Sequence, residues 1–332
     1  MPQPFVVRLC NWIGDVVLSL PALRLLQAHG FDLHLYGKGW APALHSGYDW
    51  PVTVRADSFV DRVKQLAALK RSLAAAAPTT EPRVNALAMP NSFSSALELR
   101  MAGFRTSGYA YDGRRLLLAQ AQPRPARGQQ PHELETLWRL ACGVLGEHLP
   151  APADIEMRVS SGARRQIDDL VAARGWQQGF ICLVPFSTGM VYGQSKKWPH
   201  FPALAAQLAS TGLPLVVCPG PGESDEARAS YADAVVLDNI KLDAYAALLQ
   251  RSRLVVANDT GPAHIAAAVG ARLLSVLGPT RVERWGPWGA NVTVLRRLSG
   301  WPSTADAKSA AERLLASEHQ SLALASSSNS AS

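Results

Sequence analysis

The segment NDTGPAH, residues 258–264, has the residue types that bind an anion at the start of a helix. Its small residues allow a ligand to approach the backbone closely, and the free N–H groups of a helix start attract phosphate. Pro262 suits the first helical turn, because the N–H group that proline lacks would have no partner there. Thr260 and His264 would share one side of that helix, whereas Asp259 fits a loop cap or a partner for a sugar hydroxyl. A purely structural role for His264 stays open.

Two other predicted turns carry polar side chains directly after strand-like runs. Residues 187–189 (STG) and 195–197 (SKK) supply hydroxyls and lysines, and a lysine here could neutralise a diphosphate. Residues 219–226 (PGPGESDE) form a glycine-rich turn that ends in acids, which can accept hydrogen bonds from ribose hydroxyls. Solvated lysines, and acids that favour a helix start, explain the same residues without a ligand.

Near the N-terminus, the segment NWIGD, residues 11–15, places a carboxylate between a buried strand and a helix. Gly14 would let the backbone turn tightly, so that Asp15 faces a cleft at the carboxyl edge of a sheet. The alternative is that Asp15 caps the helix. The absence of GxGxxG here argues against a dinucleotide site. The chain also lacks the HExxH, GxSxG, Walker and Cys/His patterns of metalloproteases, serine hydrolases, P-loop NTPases and zinc enzymes.

Short strand-like runs alternate with longer helical ones, which predicts an α/β fold with parallel sheets. The strand-like runs are FVVRL, DLHLY, VTVRA, VNALAMP, FICLVPF, LPLVVCP, AVVLD, RLVVAND and RLLSVLGP. Two Rossmann-like domains with a cleft between them, residues 1–153 and 154–318, account for this pattern. The proline-rich, polar residues 120–131 predict a loop. A helix at 305–318 precedes the serine-rich residues 319–332, which we expect to be a disordered tail.

Composition narrows the class of protein further. A length of 332 residues suits two domains, and 48% hydrophobic with 18% charged residues excludes wholesale disorder. No run approaches the ~20 apolar residues that cross a bilayer, and the N-terminus lacks the basic start of a signal peptide. The four cysteines lie far apart without a CxxC pair, which fits reduced thiols in the cytoplasm better than disulfides or a zinc site.

Positive charge is concentrated in residues 62–127, which hold eleven Lys/Arg against three acids and account for the formal charge of +7. A local basic field indicates an anionic partner such as nucleic acid, acidic lipid headgroups or a phosphorylated substrate. An arginine-rich but merely solvated face is the alternative. Few aromatic residues interleave with these cations, which argues against stacking on single-stranded nucleic acid.

Three segments together resemble glycosyltransferase family 9, the ADP-heptose:lipopolysaccharide heptosyltransferases. They are NWIGDVVLSLPALRLL, KKWPHFPALAAQL, and NDTGPAHIAAAVG followed by LLSVLGPT. The resemblance is collinear over about residues 5–290, and NWIGD is most similar to the heptosyltransferase II type. It implies a GT-B fold, in which two Rossmann-like domains face a central cleft, an inverting mechanism, and an ADP-sugar donor bound by the second domain.

Site roles follow from the resemblance by position. Asp15 matches the general base, and Lys196 matches the lysine that contacts the donor phosphates. The other implied donor contacts are Thr188, Glu223 or Asp225 at the ribose, the main chain near Ile240 at the adenine, and Asp259, Thr260, Gly261 and His264. The basic segment matches no family pattern, and we predict that Arg100 and Arg105 bind the acceptor or an anionic membrane surface.

The implied reaction is a single displacement, in which Asp15 takes the proton of the acceptor hydroxyl while ADP leaves towards Lys196 and the helix start. The lysine and the backbone supply the positive potential, so we expect neither a cofactor nor a metal. The expected partners are an ADP-sugar donor and the lipopolysaccharide core, with an anionic inner-membrane surface as a further candidate and no nucleic acid. The expected location is the cytoplasm, and a peripheral position on the cytoplasmic face of the inner membrane stays open. A transferase or epimerase that uses another nucleotide sugar, or a non-catalytic lipopolysaccharide- or anion-binding homologue, is the alternative.

Overall fold

A computed structural model describes residues 2–74, 83–111, 113–125, 131–191, 193–297 and 299–329, with the side chains of 317–329 left out. The chain divides into two compact units, Met1–Arg158 and Val159–Ser332. The sequence placed this boundary slightly earlier, after residue 153. Glu81, Asp112 and Arg127 of the basic segment lie outside the described residues.

The first unit is built on a six-stranded, entirely parallel sheet with the order β3-β2-β1-β4-β5-β6. Its strands are β1 (Gln3–Arg8), β2 (Phe31–Gly37), β3 (Val52–Val54), β4 (Ala86–Ala88), β5 (Thr106–Tyr109) and β6 (Gln120–Gln122). Its helices are α1 (Ile13–Ala28), α2 (Ala41–Leu44), α3 (Phe59–Leu73), α4 (Phe93–Met101) and α5 (Glu133–Leu145). This strand order is the doubly wound Rossmann arrangement that the alternating sequence pattern predicts.

The second unit repeats that topology, with the order β11-β10-β7-β12-β13-β14 and parallel pairing throughout. Its strands are β7 (Ile181–Val184), β10 (Leu215–Val217), β11 (Ala234–Val236), β12 (Leu254–Ala257), β13 (Leu273–Leu277) and β14 (Val292–Arg296), with a separate antiparallel hairpin of β8 (Met190–Val191) and β9 (Gln194–Ser195). Its helices are α6 (Ser161–Arg174), α7 (Phe201–Leu208), α8 (Ser224–Ser230), α9 (Leu242–Arg251), α10 (Gly261–Ala268), α11 (Val282–Trp285) and α12 (Thr304–Asn329).

Unbroken burial along the central strands explains why the sequence reveals them. Every residue of β7, β12 and β13 is buried, as expected for a parallel sheet that is covered on both faces. Aliphatic residues of these strands pack with Trp198, Phe201 and the start of α12 in one apolar core. The α/β class with two parallel sheets is therefore confirmed.

Two segments differ from the sequence prediction. Gln120–Gln122 form β6 at the edge of the first sheet, so the predicted loop over 120–131 is wrong at its start. A strand at the edge of a sheet can be polar and can be followed directly by a proline such as Pro123, because its outer side pairs with no further strand. At the other end of the chain, α12 runs to Asn329, into the segment for which the sequence predicted disorder, and its repeated Ala and Leu residues are good helix formers.

The cysteines are free thiols, as predicted, and burial raises the pKa of Cys182 to about 12. Among the described residues, none of the helices combines the length and apolarity that a bilayer crossing requires. The same part of the chain holds no cluster of three or more His, Cys, Asp or Glu side chains that could hold a metal ion.

Candidate functional site

The centre of the second unit's sheet brings the predicted donor residues to one edge. β7 and β12 pair in parallel with Val184 opposite Ala257, so the loops that follow them emerge side by side. The strand order reverses at this pair, and ligands of doubly wound sheets bind beyond the carboxyl ends of the strands at such a point. Thr188 and Lys196 come from the loop after β7, and Asp259 comes from the turn after β12.

A buried carboxylate organises this edge. Asp259 is 4% exposed, and its Oδ2 atom lies 2.7 Å from Nζ of Lys196. The same oxygen accepts a hydrogen bond from the hydroxyl of Thr280, which is also buried. The sequence predicted that Asp259 caps the loop or binds a sugar hydroxyl, but in the structure its carboxylate holds the lysine. An ionised carboxylate this deeply buried requires such partners, because burial without them is costly.

The neighbouring Asn258 is fully buried and joins the two loops. Its Oδ1 atom accepts a hydrogen bond from the backbone N–H of Trp198 at 3.1 Å, and its side-chain amide donates to the carbonyl of Pro185. Trp198 is itself anchored by its indole N–H, which donates to Pro302 O at 3.1 Å. Asn258 therefore fixes both ends of the loop that carries Thr188 and Lys196.

Close packing between Gly189 and Lys196 sets the path of the lysine side chain. The backbone N–H of Lys196 donates to Gly189 O at 3.1 Å, which closes the β8–β9 hairpin. A Cβ atom on Gly189 would lie only 2.7 Å from Cδ of Lys196. A larger residue at position 189 would therefore force the aliphatic stem of Lys196 to move. Thr188, one residue earlier, is exposed.

The turn after β12 starts α10 as the sequence predicts. Thr260 is the N-cap residue in an extended conformation, Gly261 is the first helical residue, and Pro262 lies in the first turn. The first backbone N–H groups of α10 therefore point to the same edge as Lys196. His264 lies one turn along the helix and is buried, with 7% of its surface exposed.

The other predicted donor residues follow the adjacent strands β10 and β11. Glu223 is half-buried before α8, and its Oε2 atom accepts a hydrogen bond from the backbone N–H of Gly220 at 2.7 Å. Asp225 is exposed in the first turn of α8. Ile240 is half-buried after β11, next to Asn239, whose φ of 58° is left-handed. The structure thus brings the predicted donor residues to the carboxyl ends of four neighbouring strands.

In the first unit, Asp15 lies in the first turn of α1, at the carboxyl end of β1. Trp12 is the N-cap residue, so Asp15 does not occupy the cap position that the alternative interpretation gives it. Gly14 is already helical and buried, and it does not form the tight turn that the sequence predicted. Burial, followed by the charges of Asp15 and Glu133, raises the pKa of the Cys10 thiol.

Two arginines hold one buried carboxylate at the same edge of this sheet, and a third arginine contacts the neighbouring Asn11. Arg8 and Glu98 are both about 2% exposed, and Glu98 accepts hydrogen bonds from Nε of Arg8 and Nε of Arg62, each at 2.8 Å. Asn11 Oδ1 accepts from Arg8 at 3.1 Å and from Arg55 at 3.4 Å. Desolvation, followed by the charges of Arg8 and Arg62, lowers the pKa of Arg55. Positive charge therefore exceeds negative charge within this group.

Arg100 and Arg105 lie elsewhere. Arg100 is in the last turn of α4, which leads into β5, and Arg105 directly precedes β5. Nε of Arg105 donates to the carbonyl of Arg83 at 3.0 Å. Because the strands are parallel, these two arginines lie at the amino edge of the sheet, opposite the edge that carries Asp15. They do not join Asp15 in one site.

Sequence reasoning missed several residues of the two sites. Thr280 stands in the segment LGPT without any local signal of its contact, and Arg8 looks like an interruption in an apolar run. A charged residue at the end of an otherwise buried strand was the available sign that Arg8 needs a buried partner.

Two doubly wound units in one chain, one with a lysine and a helix start at its topological switch point, define the GT-B class of fold. The chain belongs to glycosyltransferase family 9 (heptosyltransferase), whose family model matches residues 83–313, well over half of its length. It is therefore a glycosyltransferase, as the sequence predicted.

Individual relatives agree with this assignment. The chain is 24% identical over 332 residues to lipopolysaccharide heptosyltransferase 2 of Escherichia coli K12, covering 88% of this chain and 87% of that protein. The fold matches E. coli ADP-heptose lps heptosyltransferase II with a TM-score of 0.79 and 22% identity, over 96% of this chain and all of that one. It also matches E. coli heptosyltransferase WaaC with ADP, with a TM-score of 0.72 and 20% identity, over 94% of this chain and 100% of that one.

The role of Asn258 predicts a loss of stability on truncation. Asn258→Ala leaves the Trp198 N–H and the Pro185 carbonyl buried without these partners, and we expect the free energy of unfolding to fall by about 2 kcal/mol. Urea denaturation followed by circular dichroism measures the change. Asn91→Ala, at an exposed position, is the control and should stay within about 0.5 kcal/mol of the parent. Equal stability of the two variants would contradict the role.

Proposed function

We propose that this protein transfers heptose from ADP-heptose to a hydroxyl of the lipopolysaccharide inner core, with inversion at the anomeric carbon. The observation that carries the proposal is the arrangement of Lys196, Asp259 and the start of α10 at the switch point of the second sheet. Family membership and the names of the relatives support the choice of sugar and acceptor.

The donor diphosphate would bind against Lys196 and the N–H groups at the start of α10. A lysine ammonium has three donors, and Asp259 takes one of them, so two remain for phosphate oxygens. The same positive potential stabilises the charge that develops on ADP as it leaves, which is worth a few kcal/mol in comparable sites. Lysine and backbone therefore supply this role without a metal ion. Thr188, Thr260, Gly261 and His264 line the same edge.

Of the two candidate acids for the ribose, we propose Glu223. Its carboxylate is already oriented by the Gly220 N–H, whereas Asp225 is exposed. A pre-oriented acceptor loses less side-chain freedom when it binds a hydroxyl. The main chain near Ile240, which follows the neighbouring strand, is the proposed contact of the adenine.

Asp15 is the proposed general base. Its position in the first turn of α1 puts a carboxylate at the carboxyl end of β1, where a doubly wound sheet binds its ligand. The acceptor hydroxyl gives its proton to Asp15 as its oxygen attacks the anomeric carbon, and the bond from that carbon to the diphosphate breaks. One displacement of this kind inverts the configuration.

Nucleotide binding tests the donor. Titration calorimetry with ADP and UDP should give micromolar binding of ADP and weaker or no binding of UDP. Lys196→Ala should lose at least about tenfold in ADP affinity, because a charge-assisted hydrogen bond is worth roughly 1.5–3 kcal/mol. Preference for UDP would point to a transferase or epimerase that uses another nucleotide sugar. Binding of neither nucleotide would favour a non-catalytic anion-binding homologue.

The base assignment predicts a loss of turnover with no loss of donor binding. Asp15→Asn keeps the size of the side chain but removes its basicity, and we expect kcat to fall at least about 10²-fold, the usual contribution of a positioned base. Calorimetry with ADP should match the parent protein. Unchanged turnover in Asp15→Asn, measured as ADP release with donor and acceptor, would refute the assignment.

Two groups of arginines at opposite edges of the first sheet are candidates for binding the acceptor and the membrane surface. Arg55 and Arg62 lie with Asp15 at the carboxyl edge, and we propose that they bind acidic groups of the acceptor. Arg100 and Arg105 at the amino edge are the proposed contact for an anionic membrane surface.

The two groups predict opposite results. Arg55→Ala should raise the acceptor KM about tenfold, as the loss of a charged contact does, without changing sedimentation with anionic vesicles. The double variant Arg100→Ala/Arg105→Ala should weaken vesicle sedimentation and leave the acceptor KM unchanged. The reverse pattern would mean that Arg100 and Arg105 bind the acceptor and that Arg55 binds the membrane surface. If neither variant has an effect, both proposed roles are wrong.

A further inference from the structure

Thr280 touches the lysine site from a third strand. It follows β13 in the segment Gly278-Pro279-Thr280 and is 1% exposed. Its hydroxyl donates a hydrogen bond to Asp259 Oδ2, the oxygen that also lies 2.7 Å from Nζ of Lys196. A buried threonine can contribute through packing alone, but the hydroxyl of Thr280 also donates a hydrogen bond to the carboxylate that binds the lysine.

Contacts from three strands fix the position of Asp259. Its carbonyl oxygen accepts a hydrogen bond from the Ser187 hydroxyl, from the loop after β7, at 3.2 Å. Its backbone belongs to the turn after β12, and its carboxylate is held by Thr280 after β13. Ser187 orients the backbone of Asp259, whereas Thr280 orients the carboxylate itself.

Lys196 depends on this orientation. Its side chain has four rotatable bonds and is 21% exposed, so without an anchor the ammonium would sample many positions in water. Gly189 confines the stem at Cδ, and Asp259 holds the ammonium at its end. A carboxylate that could rotate would no longer hold Nζ in one place.

We propose that Thr280 is a positioning residue that sets Lys196 for the donor diphosphate through Asp259. The inference rests on the proposed ADP-sugar donor, and it assigns to Thr280 a role in phosphate binding although Thr280 itself need not touch the ligand. It predicts that the hydroxyl of residue 280 matters for phosphate-bearing ligands and not for the nucleoside part.

Two substitutions separate the hydroxyl from the packing. Thr280→Val keeps the volume and removes the hydroxyl, whereas Thr280→Ser keeps the hydroxyl and removes the methyl group. In titration calorimetry we expect Thr280→Val to bind ADP about tenfold more weakly, in line with a lost hydrogen bond to a charged group, and to bind adenosine as the parent does. Thr280→Ser should stay within about twofold of the parent for both ligands. Equal loss of ADP and adenosine affinity, or unchanged ADP binding in Thr280→Val, would overturn the proposal.

A second measurement does not depend on a nucleotide. Amine-selective labelling followed by mass spectrometry reports how fast Lys196 reacts, with the exposed Lys241 as the internal reference. We expect Lys196 to label several-fold faster in Thr280→Val than in the parent, and at the parent rate in Thr280→Ser. If Thr280→Val does not fold, Thr280→Ala removes the same hydroxyl without a second methyl group.

The two measurements distinguish the two ideas. If the parent binds no ADP, the proposed donor is wrong, and the labelling rates still decide whether Thr280 positions Lys196. If the parent binds ADP but the labelling of Lys196 is the same in all folded variants, the donor stands and the positioning role fails.

Discussion

Parallel pairing at the centre of each sheet is the constraint on which both sites depend. In the second unit β7 and β12 end together, with Val184 opposite Ala257, and in the first unit Arg8 ends β1 opposite Ala88 of β4. Backbone hydrogen bonds between central parallel strands leave little freedom in this register. Because the strand order reverses at these pairs, the loops that follow diverge and leave a crevice. Short polar loops from neighbouring strands can then come together at this crevice, and they need no helix or strand of their own to hold them there.

In the second unit, two consecutive residues at the end of β12 have different roles. Asn258 satisfies the backbone of the loop after β7, and Asp259 holds the ammonium that the same loop delivers. Asn258 therefore fixes the path of the loop, and Asp259 binds the lysine that the loop carries. In the first unit, Glu98 has the comparable position, because its carboxylate holds two arginines from different elements at one edge.

The sequence predicted the parts that depend on local pattern. Buried parallel strands are continuous apolar runs, and a helix start with Thr, Gly and Pro has its own chemistry, so α10 was found in place. Contacts between distant residues left no such pattern. Thr280 meets Asp259 across 21 positions and Arg8 meets Glu98 across 90.

Charge density along the sequence does not distinguish the two edges of the sheet. The basic segment contains Arg62 at the carboxyl edge as well as Arg100 and Arg105 at the amino edge, because a count of residues does not say at which end of a strand each one falls. The sequence placed Asp15 correctly at the carboxyl end of β1. It predicted a tight turn at Gly14, which already belongs to α1, because the first residue of a helix is predictable only to within a residue or two.

The ion pair between Lys196 and Asp259 has a consequence for selectivity among small anions. The charge of the lysine is matched by a carboxylate at 2.7 Å. The nearby negative charge of Asp259 weakens the attraction of the ammonium for orthophosphate and other small anions, which reach few further contacts. A molecule that reaches the helix start, the lysine and the loops of neighbouring strands at once gains enough contacts to win. An ammonium that is already paired with a carboxylate therefore favours a ligand long enough to make all of these contacts over a small anion.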